Sequence, residues 1–238
     1  MNSILENVQS IRERMARAAH AAGRDGDEIL LCAASKMNDA ARVQQAVQAG
    51  VDCCGENRVQ ELTQKLPQGA YTGAPVHFIG HLQTNKVQKV VGQVSLIQSV
   101  DRDALLEAID KQARKLGIVQ DILLEVNIGQ EESKSGYSPA QAMQAAEKMA
   151  QFPGVCLKGL MAIPPISQNP GDNRKYFAEM ANLFVDIGRK KYDNVFMVCL
   201  SMGMSDDFED AIAEGSTMIR VGSAIFGARH YETADASK

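Results

Sequence analysis

EILLCAASK, residues 28–36, is a hydrophobic run of strand length that ends abruptly in a lysine. Alternate residues of a strand share a face, so Leu30, Cys32, Ala34 and Lys36 point one way, three small or apolar side chains leading up to one amine. An amine held among neighbours that disfavour its charge has a lowered pKa, and a neutral amine is what a Schiff base with an aldehyde or ketone requires. The plain alternative is a lysine just past a strand end, reaching for water. This run by itself favours that alternative, because most strand-end lysines do no chemistry.

Outward from this strand the chain alternates. On its N-terminal side, Ile4, Leu5, Val8, Ile11, Met15, Ala18 and Ala19 recur at helical spacing until Gly23, which predicts an amphipathic helix over about 2–22. On its C-terminal side, Asn38 or Asp39 caps a helix to about Gly50, and residues 51–54 form a second strand. Further strands are expected at 75–79, 94–99, 121–127, 158–161, 195–201 and 218–221. The helices between them fall near 58–66, 83–91, 101–116 with Asp101 as cap, from Ser138-Pro139 to before Pro153, 174–191 and 206–214. Eight strands alternating with eight helical patterns predict an α/β fold, a closed (β/α)8 barrel preceded by an extra helix, rather than an open doubly wound sheet. No G-x-G-x-x-G follows the first strand, which counts against a dinucleotide fold. One domain is expected over residues 1–230, with 231–238 a frayed tail.

Composition bounds the function. The chain has 238 residues, 45% of them hydrophobic, and a net charge of -4. Its basic residues are scattered, so nucleic acid and anionic membrane are excluded as partners. The five cysteines, Cys32, Cys53, Cys54, Cys156 and Cys199, form no CxxC pair and sit mostly in apolar runs, as small buried hydrophobes in a reducing compartment do. No run approaches the length of a membrane span and no leader is evident, so a soluble, cytoplasmic protein is expected.

In such a barrel the C-terminal ends of the strands build the site. The first strand delivers Lys36, and the seventh delivers SMGMSDD (201–207), with Ser201 and Ser205 around Gly203. The eighth delivers RVGSAIFG (220–227), with Gly222 and Ser223 just past its end. The loops after the last two strands commonly hold a phosphate dianion on backbone N–H groups and a helix N-terminus; ordinary glycine turns are the alternative. Arg220, if it shares an inward face with Gly222, places a guanidinium near that loop, and a buried arginine needs a partner. That partner is either a carboxylate such as Glu56 or Glu125, or the ring nitrogen of a ligand, which a guanidinium would leave unprotonated. A Schiff-base lysine, a phosphate cradle and an arginine beside a ring nitrogen together describe a site for pyridoxal 5'-phosphate.

AASK (33–36), GENRVQE (55–61), HFIGHLQTNK (77–86), SKSG (133–136), GLMAIPP (159–165), LSMGMSDD (200–207) and IRVGSAIFGAR (219–229), in this order, resemble the YggS/PROSC family of pyridoxal phosphate homeostasis proteins. The resemblance runs from the first helix to about Arg229. It implies the barrel of the alanine racemase N-terminal domain and a cofactor held as an aldimine. It implies Lys36 as the aldimine lysine, Arg220 as the pyridine-nitrogen partner, and Ser201, Gly222 and Ser223 as phosphate binders, with Asn57 and Met161 approaching the cofactor. Lys134 matches the SKSG lysine as a secondary contact. The chain departs from the family in Met37-Asn38-Asp39 after the lysine, where relatives continue toward a proline with a second lysine nearby, and in Cys54, where an aromatic is common.

The function this implies is vitamin B6 homeostasis: storage of pyridoxal phosphate, or its delivery to apo-enzymes that use it, without an expected turnover reaction. The alternatives are a pyridoxal-dependent amino-acid racemase and a class I aldolase acting on a phosphorylated sugar. The racemases draw a second acid/base group, a tyrosine, from a further C-terminal domain across a dimer, which is not found here; a monomer is expected. The aldolase shares the lysine and the cradle and leaves Arg220 unexplained.

Overall fold

Apolar strands that must be buried on both faces demand helices outside and closure inside. The computed structural model, which describes residues 3–131, 134–166 and 169–227, shows that closure. Eight parallel strands follow one another around the barrel: β1 (Leu30–Ala34), β2 (Cys53–Glu56), β3 (Val76–Phe78), β4 (Leu96–Val100), β5 (Gln120–Val126), β6 (Val155–Ala162), β7 (Val195–Ser201) and β8 (Met218–Val221). The helices are α1 (Ile4–Ala21), α2 (Ala40–Gln48), α3 (Val59–Lys65), α4 (Asp103–Leu116), α5 (Pro139–Glu147), α6 (Arg174–Lys190), α7 (Phe208–Ala213) and α8 (Ser223–Phe226). The barrel closes where β8 returns to β1, with Cys32 facing Arg220 on one side and Cys53 on the other.

Three local expectations differ from the structure. Residues 83–91 form a 3-10 turn, Thr84–Lys89, rather than an α-helix. Its few apolar positions, Val87, Val90 and Val91, are β-branched and gain little from a helix. Asp101 does not cap α4; that helix starts at Asp103 with Arg102 in the cap position, and Asp101 instead pairs with Arg102 and with His81 at 3.1 Å. β6 extends from Val155 to Ala162, beyond the expected 158–161, because it pairs with β5 along nearly its whole length.

The barrel has two apolar layers. Leu31, Ala33, Phe78, Ile97, Leu124, Leu160 and Ile219 face outward under the helices, whereas Cys32, Cys53, Leu96, Leu123, Met161, Cys199 and Met218 fill the interior. The extra helix α1 lies against α7 and α8. Its buried stripe is Ile4, Val8, Ile11, Met15 and Ala19. Each large apolar side chain contributes about 1.5–3 kcal/mol on full burial, whereas the capping box of Ser3 and Glu6 is worth about 1 kcal/mol. The stripe therefore decides that the helix docks, and polar bonds fix how. Asn7 Nδ2 donates to the Ile225 carbonyl (2.8 Å), Arg14 Nε to Glu209 (2.7 Å), and Arg24 Nη1 to the carbonyls of Ile212 and Ser216.

Candidate functional site

Lys36 stands two residues beyond β1 in a segment held from both sides. The Ser35 amide donates to the Gly55 carbonyl (2.9 Å), Ser35 Oγ donates to Glu56 Oε1 (2.5 Å), and Lys65 Nζ donates to the Ser35 carbonyl (3.0 Å). Beyond Lys36, the Met37 amide donates to Glu61 Oε2 (2.8 Å). Met37 itself has φ 62, a left-handed conformation that costs a residue with a side chain about 1–2 kcal/mol. The backbone of Lys36 is thus clamped, and its half-buried amine has no partner among the described residues.

The clamp is itself a buried network behind the barrel wall. Glu56 Oε1 accepts from Ser35, from Lys65 Nζ (2.8 Å) and from Tyr71 Oη (2.9 Å), and Lys65 also reaches Glu61 Oε2 at 3.1 Å. Burial, with the Glu56 charge beside it, pushes the Tyr71 phenol far up. Glu56 is therefore a bracing residue on the outer side and not a partner for Arg220.

Inside the barrel, Arg220 is buried and bonded to neutral acceptors. Nη1 donates to Ser201 Oγ (2.7 Å) and Nη2 to the Ala162 carbonyl (2.9 Å). Ser201 passes the chain on, donating to Gln98 Oε1 (2.7 Å), and Gln98 Nε2 stands 3.0 Å from His77 Nδ1. A guanidinium has five N–H donors; with two spent, three remain uncommitted among the described residues. Burial lowers the Arg220 pKa, opposed by nearby anionic groups that include Glu125. Glu125, on the same inward face of β5 as Leu123, is raised to about 7, chiefly by burial and then by Asp101, with Arg220 opposing. His77 is lowered to about 4 by burial.

The loops after β7 and β8 meet at the same mouth. Gly222 packs against β1: a Cβ placed there would come 3.3 Å from the Ala34 carbonyl oxygen, two residues before Lys36. Ser223 and Ala224 then open α8 with N–H groups that precede any intrahelical acceptor. Ser223 Oγ donates to Ser205 Oγ (3.2 Å) across the two loops. Gly203, at φ 91, lets the β7 loop lie on α7, where a Cβ would come 2.6 Å from that of Ala211.

The residues singled out from sequence are placed as follows. Lys36, Gly222 and Ser223 come together at one rim, and Arg220 lies beneath. Ser201 belongs with Arg220 in the interior, and the hydroxyl that meets Ser223 is that of Ser205. Asn57 is half-buried just past β2, its backbone against Gly80, and its side-chain amide has no partner among the described residues. Met161 is buried in the interior layer beside Ser201 and Glu125 in the strand register. Lys134 reaches the Pro164 carbonyl (3.2 Å) and pairs with Glu131, tying two loops to each other. The tail at 231–238 lies outside the described residues.

Gln98 and His77 were not among the sequence candidates. Their signal is a polar side chain in the middle of an apolar strand, LIQSV and VHF. A groove of about 490 Å³ between α1 and α7 is lined by Arg14 and Arg174, but these are paired with Glu209 and Glu214, so its charge is spent.

Comparison with known proteins shows the family. The chain matches the family described as alanine racemase, N-terminal domain, over residues 2–230. It is 42% identical over 226 residues to a pyridoxal phosphate homeostasis protein of Aquifex aeolicus, covering 95% of this chain and 98% of that one. A crystal structure of an unknown protein from Bifidobacterium adolescentis superposes with a TM-score of 0.88 at 39% identity, covering 94% of both chains. The structure of PipY from Synechococcus elongatus with PLP bound superposes with a TM-score of 0.81 at 31% identity, covering 94% of this chain and 100% of that one.

Proposed function

Because the chain belongs to the alanine racemase N-terminal domain family, in its branch of pyridoxal phosphate homeostasis proteins, we propose that it binds pyridoxal 5'-phosphate at the barrel mouth and holds it for storage or delivery. Bound there, the cofactor supplies an aldehyde to the Lys36 amine and an electron-accepting ring. Arg220 carries the reading: a buried guanidinium with unspent donors is costly unless something polar takes them. The residues fit such a ligand, with the unpartnered amine of Lys36 at the rim, the Ala34–Gly222 contact leaving the loop free of side chains, and Ser223 and the first N–H groups of α8 facing an anion.

Each residue then has a task. Lys36 tethers the ligand, held in place by Ser35 and Met37. Arg220, fixed by Ser201 and the Ala162 carbonyl, would offer its remaining N–H donors to the ring nitrogen, a contact that favours the unprotonated ring. Gly222 and Ser223, with Ser205 bonded to Ser223, would hold the phosphate end, Ser201 would position Arg220, and Asn57 and Met161 would border the ring. The single domain over residues 1–230 is sufficient for this task.

Holding rather than turnover is favoured by the relatives, which are named pyridoxal phosphate homeostasis proteins. Tyr71 and Tyr137 are bonded to Glu56 and Asp103 (both 2.9 Å), and Tyr176 and Tyr192 pack on or after α6, so no described tyrosine joins Lys36 at the mouth. Recipients would be apo-enzymes that use the same cofactor. No helix among the described residues is long and apolar enough to cross a membrane.

Purified protein is expected to absorb in the visible range after reconstitution with pyridoxal phosphate, with borohydride fixing the adduct to Lys36 and Lys36→Ala abolishing it. A protein that stays colourless would overturn the reading. Deuterium entering the alanine α-position with turnover would favour the racemase.

A further inference from the structure

The interior layer below Arg220 is a concentration of sulfur that the cofactor reading does not use. Its seven buried residues are Cys32, Cys53, Leu96, Leu123, Met161, Cys199 and Met218, so all but two carry sulfur. Within it, the sulfurs of Cys32 and Cys53 and a ring nitrogen of His77 lie within 4.8 Å of one another, on the adjacent strands β1, β2 and β3. Their spacing follows from the register, since Cys32 faces Cys53 and the residue after Cys54, Gly55, faces His77. A Cβ at Gly55 would stand 2.7 Å from Ile79 Cδ1 and 3.0 Å from the Cys32 sulfur, so the glycine is what lets Ile79 and Cys32 pack closely there.

We propose that Cys32, Cys53 and His77 form a three-coordinate site for a soft monovalent cation, Cu(I) in the first instance. Thiolate and imidazole ligands in a buried, sulfur-rich layer select soft d10 ions over Mg(II) or Ca(II). Before an ion binds, the Gln98 amide donates to Nδ1 at 3.0 Å; with the ion on the other ring nitrogen, Nδ1 carries the proton and the amide turns over so that its oxygen accepts it.

Charge favours the monovalent ion. Binding displaces the two thiol protons to solvent, and two thiolates with one Cu(I) leave a net charge of -1. Arg220, the ladder partner of Cys32, supplies the compensating positive charge. Without the ion, the cluster is a patch of ordinary apolar packing. The site rests on no assumption about pyridoxal phosphate.

The test is anaerobic competition of the full-length reduced protein against the coloured Cu(I)–bicinchoninate chelate. Wild type is expected to withdraw one equivalent, Cys32→Ala and Cys53→Ala to bind at least tenfold more weakly, and Cys54→Ala, whose thiol faces the outer layer, to behave as wild type. A chelate left intact by the wild type overturns the proposal, as does a full equivalent withdrawn by both single variants. Uptake of Zn(II) from its own chelator in place of Cu(I) overturns the choice of ion. Should the variants fail to fold, X-ray absorption on the wild type decides: two sulfurs and one nitrogen support the site, and an oxygen and nitrogen shell alone refutes it.

Discussion

Two buried polar networks flank the same stretch of β1 and β2, and they end differently. Behind the wall, all three hydrogens of Lys65 are spent on Ser35, Glu56 and Glu61, and the hydroxyls of Ser35 and Tyr71 are spent as well. One acceptor, Glu56 Oε2, is left over. Within the barrel, the line from His77 through Gln98 and Ser201 ends on Arg220, which keeps unspent donors and opens toward Lys36. The closed network spends its donors on shape. The open one holds donors in reserve, and that reserve is the physical mark of a binding site.

The sharpest way to break this contrast is to remove one cation from each side. Lys65→Met should cost about 3–5 kcal/mol of stability by leaving Glu56 charged and unpaired in the wall. It should also loosen Lys36, so cofactor uptake falls with stability. Arg220→Met should cost less, about 1–3 kcal/mol, because its partners are a hydroxyl and a carbonyl; cofactor affinity should fall further than stability does. Urea unfolding beside visible-band titration separates the two, and equal stability losses would erase the distinction.

Acid should reveal the interior network next. His77 is held at about 4 against an ordinary value of 6.5, so the folded state prefers it neutral. A depressed histidine contributes nothing at neutral pH and destabilises as pH falls from 6.5 to 4, where the unfolded chain takes up the proton first. The loss amounts to about 3 kcal/mol over that window. His77→Gln should flatten it in urea melts taken at successive pH values. Glu125, raised to about 7, runs the other way: the folded state keeps its proton, and stability falls as pH rises from 4.5 through 7. Glu125→Gln should remove that slope, and a slope unchanged in the variant would refute the assignment.

The smallest stability effect is expected at the rim. Gly222 has φ -115, which any residue adopts, and a Cβ would meet the Ala34 oxygen at a tight 3.3 Å. Gly222→Ala should therefore cost less than about 1 kcal/mol of stability, yet weaken cofactor binding several-fold by crowding the phosphate loop. Comparable losses in both would make the glycine a packing residue only.

The barrel was legible in the sequence because apolar runs such as EILLCAASK and VFMVCLS recur with helical periods between them, and helix ends carry signals as strong as Ser138-Pro139. Residues 83–91 carry the spacing of a helix, but Val87, Val90 and Val91 are β-branched and are buried equally well from a 3-10 turn and the bend after it. Asp101 has the chemistry of a cap, but its carboxylate found His81 and Arg102 first. At the site, Lys36 and Gly222 could be read from position, since the end of a strand is a place in space. Partnership could not: that Arg220 ends on Ser201 and not on Glu56 depends on which face of β2 turns outward, and Cys53 and Glu56 look alike in one dimension.

The docking of α1 has a consequence for how the protein is made. Beside α2, its partners are the last elements of the chain: the bond from Asn7 to the Ile225 carbonyl spans 218 residues, and that from Arg14 to Glu209 spans 195. At about 5–20 residues per second, a ribosome takes roughly 10–45 s to produce Ile225 after Asn7. Throughout that interval α1 can meet α2 and the segment around Asp52, but the part of its apolar stripe that packs on α7 and α8 stays uncovered. The first helix synthesised is thus among the last to be fully packed, and a chaperone that shelters nascent apolar segments would find its natural target at the N-terminus.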